Sequence, residues 1–160
     1  MKHFLATRFN LKVENWTTAK DGSLVLTEKW LEERFELFEK YCFPSVTNQK
    51  NKNFYWLIFF DIDTPTAFRE KTKQLLSSHN NFKALYIDGI KSLNNSLIEN
   101  ILENLDESDD FIITTRLDND DSIHKDFIDT IQNKTKKKSH RQKSAYRSGS
   151  AGSSQKGGCL

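Results

Sequence analysis

Seven consecutive apolar residues, Phe54-Tyr55-Trp56-Leu57-Ile58-Phe59-Phe60, constrain this chain most. A strand with one face in water alternates apolar and polar side chains, whereas an unbroken apolar run must be covered on both faces, as in an inner strand of a parallel sheet. Parallel neighbours need crossover connections, and the rest of the chain offers them. Phe4 to Phe9 reads as a first strand, and Trp30, Leu31, Phe35, Phe38, Tyr41 and Cys42 recur at helical spacing up to Pro44, which is expected to stop the helix. After the apolar run, Thr64 as N-cap and Pro65 at the first helical position open a helix that buries Phe68, Thr72, Leu75 and Leu76. Phe82 to Ile87 forms a third strand, closed by an Asp88-Gly89 turn. Asn94 or Asn95 caps a helix with Leu97, Ile98, Ile101, Leu102 and Leu105 on one buried face. Phe111 to Leu117 is a fourth strand, and Ser122 caps a last helix that buries Ile123, Phe127, Ile128 and Ile131. This alternation predicts an α/β domain with a mostly parallel, Rossmann-like sheet flanked by helices.

Charge divides the chain in two. Eight of the 24 Lys and Arg residues lie from Lys134 onward, where there is no Asp or Glu, so residues 1–133 carry 16 basic against 22 acidic side chains. The formal net charge of +2 thus hides an acidic body and a basic tail. A nucleic-acid partner is not expected of the body. Residues 134–160, rich in Lys, Ser and Gly, are expected to be a disordered basic tail after a single domain at 1–133. Its abrupt onset reads either as a truncated or frame-shifted end or as a native basic arm. The longest apolar run is far short of the roughly 20 residues that span a bilayer, no signal-peptide pattern follows Met1, and Cys42 and Cys159 show no metal-ligand spacing. These features predict a cytoplasmic protein without a transmembrane segment. His3, His79, His124 and His140 also lack metal spacing and are expected to be solvated or structural.

The chemistry concentrates at strand ends. Phe111-Ile-Ile-Thr-Thr-Arg-Leu is followed by Asp118, Asp120 and Asp121, three mutually repelling acids at the sheet edge where open α/β folds bind ligands. A hard divalent cation such as Mg²⁺ or Mn²⁺ would stabilise them and link the chain to a phosphate. Asp118 and Asp120, or Asp120 and Asp121, supply a half-shell for it. Residues i and i+2 of a strand-end turn can face one side, which brings Asp118 and Asp120 to the cleft together, and Asp120 is the first choice for direct ligation. The plainer alternative makes Asp120 and Asp121 helix-opening acids, which suits one acid better than three. Arg116, two residues before Asp118, either holds a phosphate or a base edge or pairs with the acids. Asp61 ends the second strand on the same edge and has no clear capping duty, so it is a candidate for a nucleobase or ribose contact. Asp63 reads as a turn residue. Arg8, closing the first strand, either meets a pyrophosphate or is an ordinary surface arginine.

Arg116-Leu117-Asp118-Asn119-Asp120-Asp121 resembles the strand-end DxD motif of GT-A nucleotide-sugar glycosyltransferases. More narrowly, residues 3–12, 33–49, 53–65 and 112–132 resemble the rhamnosyl transferase family of bacteria. The likeness is expected to stop at the tail. It implies a GT-A-like domain in which Asp118 and Asp120, supported by Asp121, hold Mn²⁺ or Mg²⁺, with Arg8, Asp61, Arg116 and Asp118 at the nucleotide-sugar. It implies glycosyl transfer from a nucleotide-diphosphate sugar to a saccharide or glycolipid hydroxyl, and peripheral membrane contact is compatible with it. It also implies that the C-terminal half of the fold, with the acceptor pocket and catalytic base, lies outside this chain. Two other readings stand beside it. Phe59-Phe60-Asp61-Ile62-Asp63 resembles the nucleophile motif of haloacid-dehalogenase-like phosphatases, with Asp61 attacking phosphorus and Asp63 as acid, although Pro65 departs from that pattern. A non-enzymatic module whose basic tail grips an anionic ligand is the other.

Overall fold

The computed structural model describes residues 1–14 and 26–137. Strands β1 (Lys2–Arg8), β2 (Tyr55–Asp61), β3 (Phe82–Ile87) and β4 (Ile112–Arg116) form one sheet in the order β3-β2-β1-β4, with every pair parallel. Helices α1 (Glu28–Leu37), α2 (Phe43–Thr47), α3 (Thr66–Leu76), α4 (Leu93–Glu103) and α5 (residues 127–137) flank it. The α/β class read from the strand and helix periodicities is the class observed, and the arrangement is Rossmann-like.

The winding decides which helix covers which face. From β1 to β2 to β3 the chain steps across the sheet in one direction, and from β3 to β4 it returns past β2 and β1. A right-handed crossover in the reverse direction places its helix on the opposite face. The core divides accordingly. Leu5, Trp56, Ile58 and Phe60 pack with Leu31, Phe35, Phe38, Val46, Phe68 and Ile128, whereas Phe4, Leu57 and Phe59 pack on Ile101 of α4. Residues Trp56 through Phe60 are fully buried because both faces of β2 are covered. Each large side chain so buried contributes roughly 1.5–3 kcal/mol. The one polar side-chain atom in that run, Trp56 Nε1, donates to Thr7 Oγ1 at 2.9 Å.

Local details depart from the sequence reading. Pro44 does not end the helical run. A π-helical turn over Phe38–Cys42 precedes it, with Phe43 N donating to Phe38 O, and α2 follows with Pro44 in its first turn. A proline ring collides with the carbonyl four residues earlier, and the wider turn relieves that collision. Thr64 is not the N-cap of α3, which begins one residue later with Pro65 at the cap. Its hydroxyl is committed instead to Asp61 O at 2.7 Å, while Asn10 Nδ2 donates to it at 3.0 Å. Helix α4 starts at Leu93 after a 3-10 turn, so Asn94 and Asn95 lie inside it. On α4, Ile101 is buried and Leu97, with Leu105 just past the helix end, packs against the same cluster, but Ile98 and Leu102 are exposed.

Ser122 caps nothing. The segment 121–124 is irregular because α2 holds it. Ser45 Oγ accepts from Ile123 N at 3.1 Å. Gln49, 1% exposed, donates to Ser45 O and His124 O and accepts from Ile128 N. Helix α5 then runs to residue 137, past the expected boundary at 133. Residues 138–160, with the rest of the basic tail, His140 and Cys159, lie outside the described residues.

Candidate functional site

Between β1 and β4 the winding reverses. The connection leaving β1 goes one way and the chain arriving at β4 comes from the other, so their carboxyl ends splay a crevice, the usual ligand site of open α/β sheets. A cavity of about 390 Å³ lies there. Arg8, Phe9, Leu11 and Val13 line it from the end of β1, Trp30 and Arg34 from α1, Ile90 from beyond β3, and Asp118, Asn119 and Asp120 from the end of β4. Its volume falls within the ~300–1,000 Å³ of small-molecule sites. Leu11, Val13 and Ile90 give the β3 side an apolar lining, and the charged groups lie toward β4.

The turn carrying the acids has a fixed backbone. Leu117 N donates to Ala6 O at 3.0 Å, extending the β1–β4 ladder, and Asp121 N donates to Asp118 O at 3.2 Å. Asn119, 6% exposed, donates from Nδ2 to Phe9 O at 3.2 Å. Cys42 Sγ lies 3.6 Å from Asp118 O. Burial, and then the negative charges of Asp120, Asp121 and Asp118, push the Cys42 thiol up to about 12, so it stays protonated and serves as a packing group.

The structure brings Arg8, Asp118 and Asp120 to the same cavity. Arg116 donates from Nε and Nη2 to one oxygen of Asp118, Oδ1, at 3.1 and 2.9 Å. Asp120 Oδ2 is held by Nη1 of Arg34. Among the described residues, Arg8 Nε is buried with no hydrogen-bond partner. Such a group costs roughly 1–3 kcal/mol unless something accepts from it. Asp121 is exposed and does not line the cavity. No three His, Cys, Asp or Glu side chains among the described residues are grouped so as to hold a metal ion between them.

Asp61 is drawn elsewhere. It is 3% exposed, its Oδ2 accepts from Lys12 N at 3.0 Å and its Oδ1 from Asp63 N at 3.0 Å. Its own amide donates to Asn10 Oδ1 at 3.1 Å. The carboxylate thus ties the loop after β1, whose Leu11 and Val13 line the cavity, to the turn after β2, and Asp61 itself is not a lining residue. Asp63 pairs with the Lys12 ammonium, which holds its carboxyl below the usual range. Beyond Arg8, Asp118 and Asp120, the lining residues were not read as site residues from the sequence, and of these Arg34, Trp30 and Asn119 bring polar groups. The only local hint was Trp30 and Arg34 one turn apart on an otherwise Glu-rich helix.

No helix among the described residues is long and apolar enough to cross a membrane. No curated protein and no solved structure matches the chain. The profile of the family described as "Putative rhamnosyl transferase" matches residues 3–149. The match runs beyond residue 133, so the family likeness does not stop where the basic tail begins. A parallel sheet with a ligand-sized crevice at its switch point, carrying arginines and paired aspartates, is consistent with that match, and the chain belongs to this rhamnosyl transferase family.

Proposed function

We propose that the cavity between β1 and β4 is the donor site of a glycosyltransferase and holds a nucleotide-diphosphate sugar. The observation that carries this reading is the meeting, at the switch point, of Arg8 with its buried unpaired Nε and the two aspartates Asp118 and Asp120. An anion accepting from Arg8 would relieve its desolvation. The β3 side, with Leu11, Val13 and Ile90, suits a flat base, and the β4 side suits the diphosphate.

The lining fits a hard divalent cation. Asp118 and Asp120 line one cavity, and such cations are commonly held by one or two carboxylates together with substrate phosphates. The two arginines of the lining cancel the two aspartates, so an anionic ligand needs further positive charge. Asp118 and Asp120 would hold Mn²⁺ or Mg²⁺, whose charge would stabilise the departing nucleoside diphosphate. Arg8 binds and orients that diphosphate, Arg116 keeps Asp118 in place, and Asn119 fixes the turn. The acceptor on this reading is a saccharide or glycolipid hydroxyl. Asp61, buried and doubly engaged by amides, offers no approach to phosphorus, and nothing in its surroundings favours the phosphatase reading.

Calorimetry of the full chain with uridine, deoxythymidine and guanosine diphosphates, each with and without Mn²⁺, tests the proposal. Binding of one of them that needs Mn²⁺ and is lost in Asp120→Asn supports it. No binding of any of the three by a chain that melts cooperatively overturns it.

A further inference from the structure

Both aspartates of the proposed donor site are engaged by arginines, and the two arginines differ in standing. Arg116 is two residues from Asp118 on the same strand end and bonds its Oδ1 through two nitrogens. Arg34 reaches Asp120 from α1, 86 positions away in sequence, and itself lines the cavity. Its guanidinium also lies over the Trp30 ring at 5.3 Å. A cation at Asp120 and an arginine on its Oδ2 compete for one carboxylate, while a diphosphate beside them needs positive charge. One movement meets both demands.

Resting on the donor-site reading, we infer that Arg34 is an exchanging binding residue. It holds Asp120 while the site is empty, and it transfers to the diphosphate when a divalent cation takes that carboxylate. The exchange needs only a side-chain rotation, because α1 already places Arg34 in the cavity wall and Trp30 gives the guanidinium a surface to turn on. The Arg34–Asp120 pair is part exposed, with side chains 31% and 40% accessible, so it is weakly held and easily exchanged. An arginine presents a planar fork to phosphate that a lysine lacks.

The test uses the full chain as wild type, Arg34→Met and Arg34→Lys. Mn²⁺ binding without nucleotide is read from the loss of the free-ion electron paramagnetic resonance signal. Diphosphate binding at saturating Mn²⁺ is read by calorimetry. Arg34→Met is expected to bind Mn²⁺ alone several-fold more tightly, since Asp120 is released, and to bind the nucleoside diphosphate roughly tenfold or more weakly. Arg34→Lys should fall between wild type and Arg34→Met on both. Two constants that weaken together, or neither moving, would overturn the exchange while leaving the donor site standing if Asp120→Asn still abolishes binding. A wild-type chain that binds no nucleotide takes down the donor-site reading and this inference with it. Should Arg34→Met fail to melt cooperatively, the Arg34→Lys constants decide by the same crossing.

Discussion

His3 sets a pH limit on the stability of this fold. Its ring is 1% exposed, between β4 and α5, with Nε2 2.9 Å from Thr115 Oγ1 and Nδ1 3.5 Å from Gln132 Nε2. The Gln132 amide nitrogen donates at 2.8 Å to Asn53 O, so its hydrogens face Nδ1, which makes Nε2 the protonated nitrogen of a neutral imidazole. A second proton would set a donor against a donor and bury a charge. Burial accordingly lowers the His3 pKa from 6.5 to about 4. The folded value lies below the unfolded one, so the neutral form favours folding. Its full contribution is present above pH 6.5 and is lost as pH falls toward 4. The gap is worth about 3 kcal/mol, lost at slightly more than 1 kcal/mol per pH unit near pH 5. Urea unfolding of wild type and His3→Gln at intervals from pH 7 to 4 measures it. Asp63, Asp109 and Asp126, held low by Lys12, the N-terminal amine and Lys50, lose stability at lower pH in both proteins and cancel in the difference. His3→Gln should be the less pH-sensitive protein. Parallel slopes would refute the buried, neutral histidine.

Three further outcomes follow from other contacts. Gly89 has φ +61°, and a Cβ there would meet Lys12 O at 3.1 Å, so Gly89→Ala should cost about 1–3 kcal/mol in urea unfolding; an unchanged midpoint would contradict the close approach. Gln49→Leu strips partners from Ser45 O, His124 O and Ile128 N, and should lower stability by about 3 kcal/mol and speed amide exchange at Ile128 above its neighbours. Arg8→Met removes the unpaired buried Nε, so the melting temperature should hold or rise while nucleoside-diphosphate affinity falls roughly 10- to 100-fold. Calorimetry and a melt on the same sample separate the two effects, and affinity equal to wild type would remove Arg8 from the site.

Elements that are buried by their own neighbours were legible in the sequence. The Phe54–Phe60 run could only be an inner strand, and the strand before Asp118 ended where its acids begin. What failed depends on partners far along the chain. The stripe Leu97, Ile98, Ile101, Leu102 and Leu105 marks an apolar side of α4, but periodicity does not say how much of it the sheet covers, and Ile98 and Leu102 stay exposed. Ser122 has a capping residue's chemistry, yet Ser45 and Gln49 hold the following backbone out of a helix. Asp61 was placed on the right edge, and nothing local shows that the amides of Lys12 and Asp63 fold back onto it. Arg34 carries no motif, because it meets Asp120, 86 positions away, only once the chain has folded.

The anchoring of the acid turn has a thermodynamic consequence for whatever binds there. Fixing one backbone residue costs roughly 1–2 kcal/mol of conformational entropy. The bonds from Leu117, Asn119 and Cys42 to the turn and the β1 strand end impose that cost on folding, before any ligand arrives. At this turn a ligand orders only side chains, at about 0.5–1.5 kcal/mol each. The acid turn should therefore meet its ligand already formed, adding no loop-closing step of its own to association.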